Sequence, residues 1–253
     1  MRIIISPAKK MKVDTDSFNH HQLPQFIDES ECLKAYLKRL GRTELKSLWQ
    51  CSDVITELNH ERLQAMDLYS QLTPAIISYE GIQYQNMAAG VLETDEYAYL
   101  EKHLRILSGF YGILRPFDGV VPYRLEMKAK LIGDDFDSLY EFWNRKLADQ
   151  LFLESHCIVN LASKEYSQCV IKYLNPDIRF VTCVFGEMIG GKVIEKGTLV
   201  KMARGEMVKF MAENKIEAVE ELKTFTRSGY VFAEHLSDHR TFVFLRDAKK
   251  PSS

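Results

Sequence analysis

The sequence lacks any long apolar run. A helix that spans a bilayer needs roughly 18 to 20 consecutive apolar residues, and no stretch of the 253 residues approaches that length. The apolar start, Ile3-Ile4-Ile5, is also too short for the hydrophobic region of a secretory signal peptide. We therefore expect a cytoplasmic protein that has no membrane partner.

Cysteine and histidine are too few and too scattered for the usual disulfide and zinc arrangements. The cysteines, at 32, 51, 157, 169 and 183, are odd in number, and no two have the C-x-x-C spacing. This pattern favours reduced, mostly buried thiols. His235 and His239 are four residues apart, but their surroundings predict two strands around a turn rather than a metal-binding helix. Walker-type and G-x-G-x-x-G phosphate loops are absent as well, so we expect no metal and no cofactor.

An excess of charge of one sign is also missing, since 33 basic residues nearly balance 35 acidic ones and leave a net charge of −2. The order of the charges is more informative than their total. Residues 1–13 contain four cations and no acid, and residues 192–209 contain five cations and two acids, whereas acidic clusters lie elsewhere. Each block is either a solvated face or, if the two blocks fold together, part of a positive cleft that attracts phosphate.

Strand-like and helix-like patterns intermix along the chain. Strands are predicted at 2–5, 75–79, 157–161, 180–188 and 193–194, with a closing hairpin at 230–246, while 105–111 is a strand or a helix end. Helices are predicted at 29–40, in two segments capped by Thr43 and Ser52, at 94–104 after the cap Thr94, from Ser138 to 151, from Ser163 to 173 and at 202–211. Residues 13–27 are predicted to form a long loop.

This mixture predicts the fold class. We expect an α/β (α+β mixed) fold, in which a mixed β-sheet core is wrapped by helices. The chain shows no internal repeat and no convincing linker. It is therefore predicted to form a single domain over residues 1–253, with a flexible tail at 247–253.

Two segments at predicted turns carry candidate phosphate contacts. Ser6, Lys9 and Lys10 follow the first strand, and loops at strand ends are common ligand positions in α/β folds. Ser6 and Lys9 also match S-x-x-K, the nucleophile motif of penicillin-binding enzymes, but the companion motifs S-D-N and K-T-G are absent. The segment is therefore interpreted either as a phosphate contact or as a solvated loop. Gly109 and Gly112 form a G-x-x-G turn, which is either a phosphate-approaching backbone or a plain turn.

A proline-broken segment follows that turn. It contains Arg115, Tyr123, Arg124 and Glu126 inside an otherwise apolar stretch. Such a rigid and polar segment is more typical of a site wall than of a solvent loop.

Two helices carry further candidates. Ser163 is the predicted N-cap of a helix that follows a buried strand, with Glu165 in its first turn. This pattern is either an ordinary capped helix or a helix start that binds an anion. Lys201 and Arg204 are three residues apart, so they share one helix face.

At these segments the sequence resembles a known family. The motifs ISPAKKM, LSGFYGILRPFD, VPYRLEM, NLASKEY and KMARGEM occur here in the order typical of the YaaA-like peroxide-stress family. The resemblance covers essentially the whole chain. It implies a bacterial, cytosolic protein linked to hydrogen-peroxide resistance, which limits DNA damage and available intracellular iron. It also implies DNA binding through a positively charged cleft and a helix-hairpin-helix element, which we place at residues 100–114.

The resemblance also implies functional positions. Carried over onto this sequence, they are Ser6, Lys9, Lys10, Ser108, Gly109, Tyr111, Gly112, Arg115, Tyr123, Arg124, Glu126, Asn160, Ser163, Glu165, Lys201 and Arg204. Two positions depart from the family pattern. Phe110 stands where an aliphatic residue is expected, and Lys128 with the residues after it follows the pattern less closely.

Three functions are consistent with these features. The first is sequence-independent binding of double-stranded or branched DNA by a monomer, with phosphates neutralised by lysine and arginine. The second is an enzyme that acts on a nucleic acid or nucleotide, in which Lys9, Glu126 and Glu165 are the candidate catalytic groups. The enzyme hypothesis requires these groups to line one deep pocket. The third, direct iron sequestration, finds no cluster with ligand spacing.

Overall fold

The apolar run near the start of the chain becomes the central strand of a mixed sheet. The computed structural model describes residues 1–247, so the predicted tail, apart from Asp247, lies outside the described residues. The strands are β1 Arg2–Ile5, β2 Lys10–Met11, β3 Thr73–Pro74, β4 Tyr79–Glu80, β5 Leu104–Ser108, β6 Gly112–Leu114, β7 Gly119–Val120, β8 Cys157–Leu161, β9 Arg179–Ile189, β10 Lys192–Ile194, β11 Tyr230–Phe232 and β12 Thr241–Arg246.

The main sheet has the strand order β11-β12-β9-β8-β1-β5-β6, and β10 pairs with β9 beside this path. Neighbours from β12 to β5 are parallel, whereas β11, β6 and β10 pair antiparallel. In the middle, Ile4 lies between Arg105 of β5 and Asn160 of β8. Parallel strands are covered on both faces, which explains why Ile3, Ile4 and Ile5 are fully buried.

Helices cover the sheet. They are α1 Ile27–Arg39, α2 Arg42–Trp49, α3 Asp53–Gln64, α4 Ala75–Ser78, α5 Ile82–Met87, α6 Thr94–His103, α7 Leu139–Trp143, α8 Lys146–Glu154, α9 Lys164–Ile171 and α10 Gly197–Glu213. Among the described residues, no helix has the length and apolar composition needed to cross a bilayer. Helices α5 and α10 touch at Gly205, where any Cβ would collide with the carbonyl oxygen of Gln83.

The sheet, its helical cover and most predicted elements are confirmed. Strands form at 2–5 and 157–161, and Gly190 and Gly191 make the turn of the β9–β10 hairpin with φ of 57° and 76°. The closing hairpin pairs β11 with β12. Residues 13–27 are held by isolated contacts until α1 begins, including a bridge between Gln22 and Asp118.

Some boundaries were wrong for identifiable reasons. Residues 75–78 form the short helix α4 instead of a strand, because an apolar run buried on every side carries no periodicity. Helix α2 begins two residues earlier, and helix α6 one residue earlier, than the predicted N-caps Thr43 and Thr94 allow. Their N-caps are Gly41 and Glu93, whose N–H groups donate to Glu44 and Glu96 at 2.7 and 2.8 Å.

The long helix predicted from Ser138 is interrupted. Ser138 is its N-cap and accepts a hydrogen bond from the N–H of Glu141. Asn144 then adopts a left-handed φ of 42°, so the segment forms α7 and α8 instead of one helix.

The helix-hairpin-helix placed at residues 100–114 is also corrected. This segment contains the end of α6, strand β5, a tight turn and strand β6, which pairs antiparallel with β5 from Ile106 to Leu114. The apolar residues on both strands are buried in the sheet. The glycine-containing turn therefore joins two strands, and within residues 100–114 the chain forms a β-hairpin after one helix.

Candidate functional site

The carboxyl ends of β1 and β8 meet at a crossing point of the sheet. From β1 the chain goes first to β5 on one side and later to β8 on the other, and ligands of α/β folds bind at such switch points. Ser6 follows β1, and Ser163 precedes α9 after β8. The Ser163 N–H donates to Ser6 Oγ at 2.8 Å, and Ser6 Oγ donates to Ser163 Oγ at 3.2 Å. The two strand ends are thus joined directly.

A cavity of about 410 Å³ opens beside these serines, and we call it the strand-end cavity. It brings together most of the predicted site residues, namely Ser6, Lys9, Lys10, Tyr123, Arg124, Glu126, Ser163, Glu165, Lys201 and Arg204. The two basic blocks of the sequence therefore meet here. Among its lining residues, five cations face three carboxylates, so the wall carries a surplus of two positive charges.

Two arginines in the cavity wall have enclosed donors without acceptors. Arg124 is 10% exposed and donates through Nη2 to Trp49 O at 3.4 Å and to Glu126 Oε1 at 3.3 Å. Arg204 makes no ion pair within residues 1–247, and burial lowers the pKa of its guanidinium. The Nε groups of both arginines are buried and donate to no atom of the described chain. The Nη nitrogens of Arg204 are not enclosed and also donate to no atom of residues 1–247, so they are suited to binding an anion.

The lysines and carboxylates of the cavity are mostly paired. Lys9 Nζ lies 2.8 Å from Glu126 Oε2, and Lys10 Nζ lies 3.0 Å from Glu80 Oε2 because β2 and β4 place the two residues opposite each other. Lys201 is exposed and makes no ion pair within residues 1–247. Glu165, in the first turn of α9, pairs with no lysine or arginine that lines the cavity.

The Glu165 carboxylate contacts a single cation within residues 1–247, Lys128, which is not part of the cavity wall. Its Oε1 accepts from the N–H of Lys128 at 3.3 Å, and its Oε2 lies 3.8 Å from Lys128 Nζ. Lys128 does not line the cavity. The Glu165 carboxylate therefore remains the one in the wall that is least neutralised by cavity cations.

A tyrosine network forms the inner wall. Tyr84 Oη donates to Ser6 O at 2.9 Å, and Tyr123 Oη lies 2.6 Å from Ser108 Oγ and 2.8 Å from Tyr79 Oη. Ser108 Oγ already accepts from the N–H groups of residues 110 and 111, so its own proton is donated to Tyr123. Burial raises the pKa of Tyr123 to about 12, which keeps this phenol neutral. Ser108 therefore positions Tyr123.

The glycine turn is not part of the cavity. A Cβ on Gly109 would lie 2.6 Å from Leu125 O, and Gly112 has a φ of +73° and faces Trp143. Both glycines are buried, and Tyr111 between them is fully enclosed. The phosphate contact predicted for this turn does not fit the structure. Gly109 instead lets the segment that carries Arg124 approach the turn closely, and Gly112 makes room for Trp143.

Two other predicted residues lie apart from the cavity interior. Arg115 donates to Gln22 Oε1 at 3.0 Å and borders a separate cavity of about 240 Å³. Asn160 is 3% exposed; its Oδ1 accepts from Ala162 N–H at 3.0 Å, and its Nδ2 donates to Thr182 Oγ1 at 3.2 Å. Asn160 therefore braces the turn that leads to Ser163.

Sequence reasoning missed the cavity wall formed by β4 and α5. Glu80, Gln83 and Tyr84 line the cavity, and Tyr166 of α9 joins them. Gly205 was the available signal, since a glycine inside a helix costs about 1 kcal/mol relative to alanine and therefore indicates a close packing contact. It gave no indication of which segment packs there. No group of three or more His, Cys, Asp or Glu side chains within residues 1–247 is arranged to hold a metal.

The comparisons with known proteins give a consistent assignment. The family described as "Peroxide stress protein YaaA" matches residues 1–236. The chain is 51% identical to a UPF0246 protein of Pediococcus pentosaceus, with 98% of each chain covered. It is 53% identical to a UPF0246 protein of Desulfitobacterium hafniense, with 97% of this chain and 98% of the relative covered. The chain belongs to the peroxide stress protein YaaA family.

Proposed function

We propose that the protein binds DNA in the peroxide stress response by holding the phosphate backbone at the strand-end cavity. The observation that carries this proposal is the meeting of both basic blocks at one cavity, where Lys10 and Lys201 are exposed at the mouth. A role in peroxide stress fits the family description. Bound protein would protect DNA against iron-dependent damage by covering the strand.

The contacts expected at the cavity mouth are to phosphate and not to bases. The Lys10 side chain is 77% exposed and Lys201 is exposed, so both reach a surface ligand. Lysine binds phosphate as a point charge and reads no base edge. Binding of double-stranded or branched DNA should therefore be independent of sequence and should weaken as salt increases.

Fluorescence anisotropy with a labelled duplex tests this proposal. The double variant Lys10→Glu with Lys201→Glu is expected to lower affinity by about tenfold or more, because each substitution replaces an attraction for phosphate with a repulsion. Lys192→Glu is the matched control, since Lys192 is an exposed lysine of the same basic block outside the cavity. Equal affinities for the wild type and the double variant would contradict the proposal.

A second candidate function is an enzyme that acts on a nucleic acid or nucleotide in the same cavity. The observation that favours it is the Glu165 carboxylate, which no cavity cation pairs within residues 1–247. A protein that only binds phosphate gains nothing from such a group, whereas a general base requires it. The groups available to such an enzyme are Ser6, Lys9, Arg124, Glu126, Ser163 and Glu165.

The enzyme hypothesis is tested by incubating the protein with nucleotides and DNA and detecting products by mass spectrometry. Glu165→Gln is expected to abolish product formation while it leaves binding within about twofold, because the amide keeps the shape but accepts no proton. Glu126→Gln is the comparison variant. Glu126 holds Lys9 and Arg124, so its loss should change binding as well as turnover. Absence of products from all substrates would leave only the binding function.

A further inference from the structure

The interior of the strand-end cavity differs from its mouth. Lys10 and Lys201 stand at the exposed rim, whereas the inner wall consists of side chains that are at most 7% exposed. These inner side chains are Gln83, Tyr84, Tyr123 and Tyr166. A ligand that only crosses the rim would use none of them. The inner wall therefore indicates a group that enters the cavity.

The interior has a cation that needs an anionic partner. Arg204 lines the cavity, its Nε is enclosed without an acceptor, and no carboxylate of residues 1–247 lies within ion-pair distance of it. A partly buried cation without an ion pair loses hydration that no contact replaces. The planar guanidinium fits phosphate through paired hydrogen bonds. The Nη nitrogens of Arg204 are not enclosed and make no hydrogen bond within residues 1–247, so a phosphate that reaches past the rim would supply acceptors for them.

The interior also has the features that recognise a nucleobase. Nucleotides held outside a base stack are bound by aromatic rings and by hydrogen bonds to their edges. Tyr166 has no aromatic stacking partner within residues 1–247. Gln83 Nε2 is directed at Leu161 O, 3.5 Å away, which leaves its Oε1 without a described donor. That oxygen is able to accept from the exocyclic amine of a base.

The size of the cavity limits the ligand to one such unit. A volume of about 410 Å³ lies towards the lower end of the range for small-ligand sites, roughly 300–1,000 Å³. This space suits a single nucleotide, and a base-paired duplex is too wide to enter it. We propose that the strand-end cavity binds one unstacked nucleotide, with its phosphate at Arg204 and its base between the tyrosines and Gln83. When the nucleotide belongs to DNA, this inference rests on the proposed function.

Calorimetric titration of the full chain separates the nucleotide from its parts. The probes are nucleoside monophosphates, the corresponding nucleosides and inorganic phosphate. A nucleoside monophosphate is expected to bind about tenfold or more tightly than either part, since it alone engages both Arg204 and the inner wall. Arg204→Met should weaken that binding about tenfold, whereas Arg145→Met, an exposed arginine outside the cavity, should not change it.

A second arm identifies the source of the nucleotide. Affinity is measured for a paired duplex and for the same duplex with one unpaired nucleotide. A preference for the unpaired form that Arg204→Met removes would indicate a nucleotide extruded from DNA, and monophosphate binding without that preference would indicate a free nucleotide. Thermal unfolding of each variant confirms that it folds, and Arg204→Lys provides a second variant that keeps the charge but loses the planar donor pair.

Two outcomes would overturn the inference. If the affinity for inorganic phosphate equals the affinity for every nucleoside monophosphate, the cavity is a simple anion site. No monophosphate binding together with equal affinity for both duplexes would mean that the interior accepts no nucleotide. The proposed DNA binding has a separate readout, because it depends on the rim lysines and on the paired duplex. A protein that binds the paired duplex but no nucleotide refutes only the inference made here.

Discussion

Arg204→Met is expected to stabilise the protein. The Nε group of Arg204 is fully enclosed and has no acceptor, and no carboxylate of residues 1–247 pairs with the guanidinium. Folding therefore removes water from the Nε of this cation without supplying a partner, and burial lowers the pKa of its guanidinium. Methionine is similar in length and has no donor, so it fills the same space in α10 without that penalty.

The expected gain follows from one enclosed donor. A buried donor without an acceptor costs about 1–3 kcal/mol. Arg204 keeps partial exposure at the cavity surface, where its remaining nitrogens stay hydrated, so a gain of about 1–2 kcal/mol in the free energy of unfolding is expected. In a chain of this length each kcal/mol moves the thermal midpoint by about 2–4 °C, which gives a rise of roughly 2–8 °C.

Differential scanning calorimetry measures this change, and Arg105→Met is the matched control. Arg105 is 4% exposed and its Nε donates to Glu154 Oε2 at 2.8 Å, so its removal breaks a buried pair. Arg2 still holds Glu154 at 2.7 Å, and we expect a loss of about 2–3 kcal/mol, somewhat less than for a carboxylate left alone. A midpoint that falls in both variants would refute the reasoning, because it would mean that Arg204 is paired in solution.

Two further predictions concern packing and pH. Gly205→Ala should destabilise the protein by about 1–3 kcal/mol in urea unfolding, because its Cβ would collide with Gln83 O; Gly197→Ala in the same helix meets open space and should be neutral, and equal effects would contradict the assigned contact. Burial raises the pKa of Asp118 from 3.8 to about 6, so the folded state binds the extra proton. The free energy of unfolding, relative to Asp118→Asn, should therefore fall by roughly 1–3 kcal/mol between pH 4 and pH 6; parallel curves for the two proteins would contradict the raised pKa.

The predictable part of the fold is the part with strong local signals. A continuous β-branched run such as Ile3-Ile4-Ile5 predicts a strand covered on both faces, and the glycines at 190 and 191 predict a hairpin. Residues 75–78 carry no such signal, because a segment buried on all sides has neither helical nor strand periodicity. The choice between α4 and a strand depends on tertiary contacts that a sequence pattern does not contain.

The sequence predicts those candidate site residues that are polar and directly follow an apolar strand pattern. Ser6 and Ser163 were found because each stands at the end of an apolar run. The turn at Gly109 and Gly112 was misassigned because the same G-x-x-G pattern serves an exposed phosphate loop and a buried strand turn. Gln83 was missed because its role comes from the contact between α5 and α10, which are far apart along the chain.

The order of the strands also changes the expected salt dependence of DNA binding. It brings carboxylates into the cavity together with the cations, so Lys9 is paired with Glu126 and Lys10 with Glu80. Lys201 makes no ion pair in residues 1–247, and Lys10 is 77% exposed beside Glu80, so these two rim lysines are the cations that reach a paired duplex. Arg204 lies inside the cavity, which the duplex does not enter. Each phosphate contact contributes a slope of about −0.9 to the dependence of log affinity on log salt.

The two rim lysines therefore predict a slope near −2, whereas all five cavity cations would give a slope of about −4.5. Anisotropy titrations of a paired duplex over a series of salt concentrations measure this slope. Glu126→Gln should make it steeper, because the substitution frees Lys9 for phosphate. A wild-type slope already near −4 would show that bound DNA displaces Glu126 from Lys9 and reaches Arg124 and Arg204. In that case neither the ion pairs nor the narrow interior of the free protein limits its contacts with phosphate.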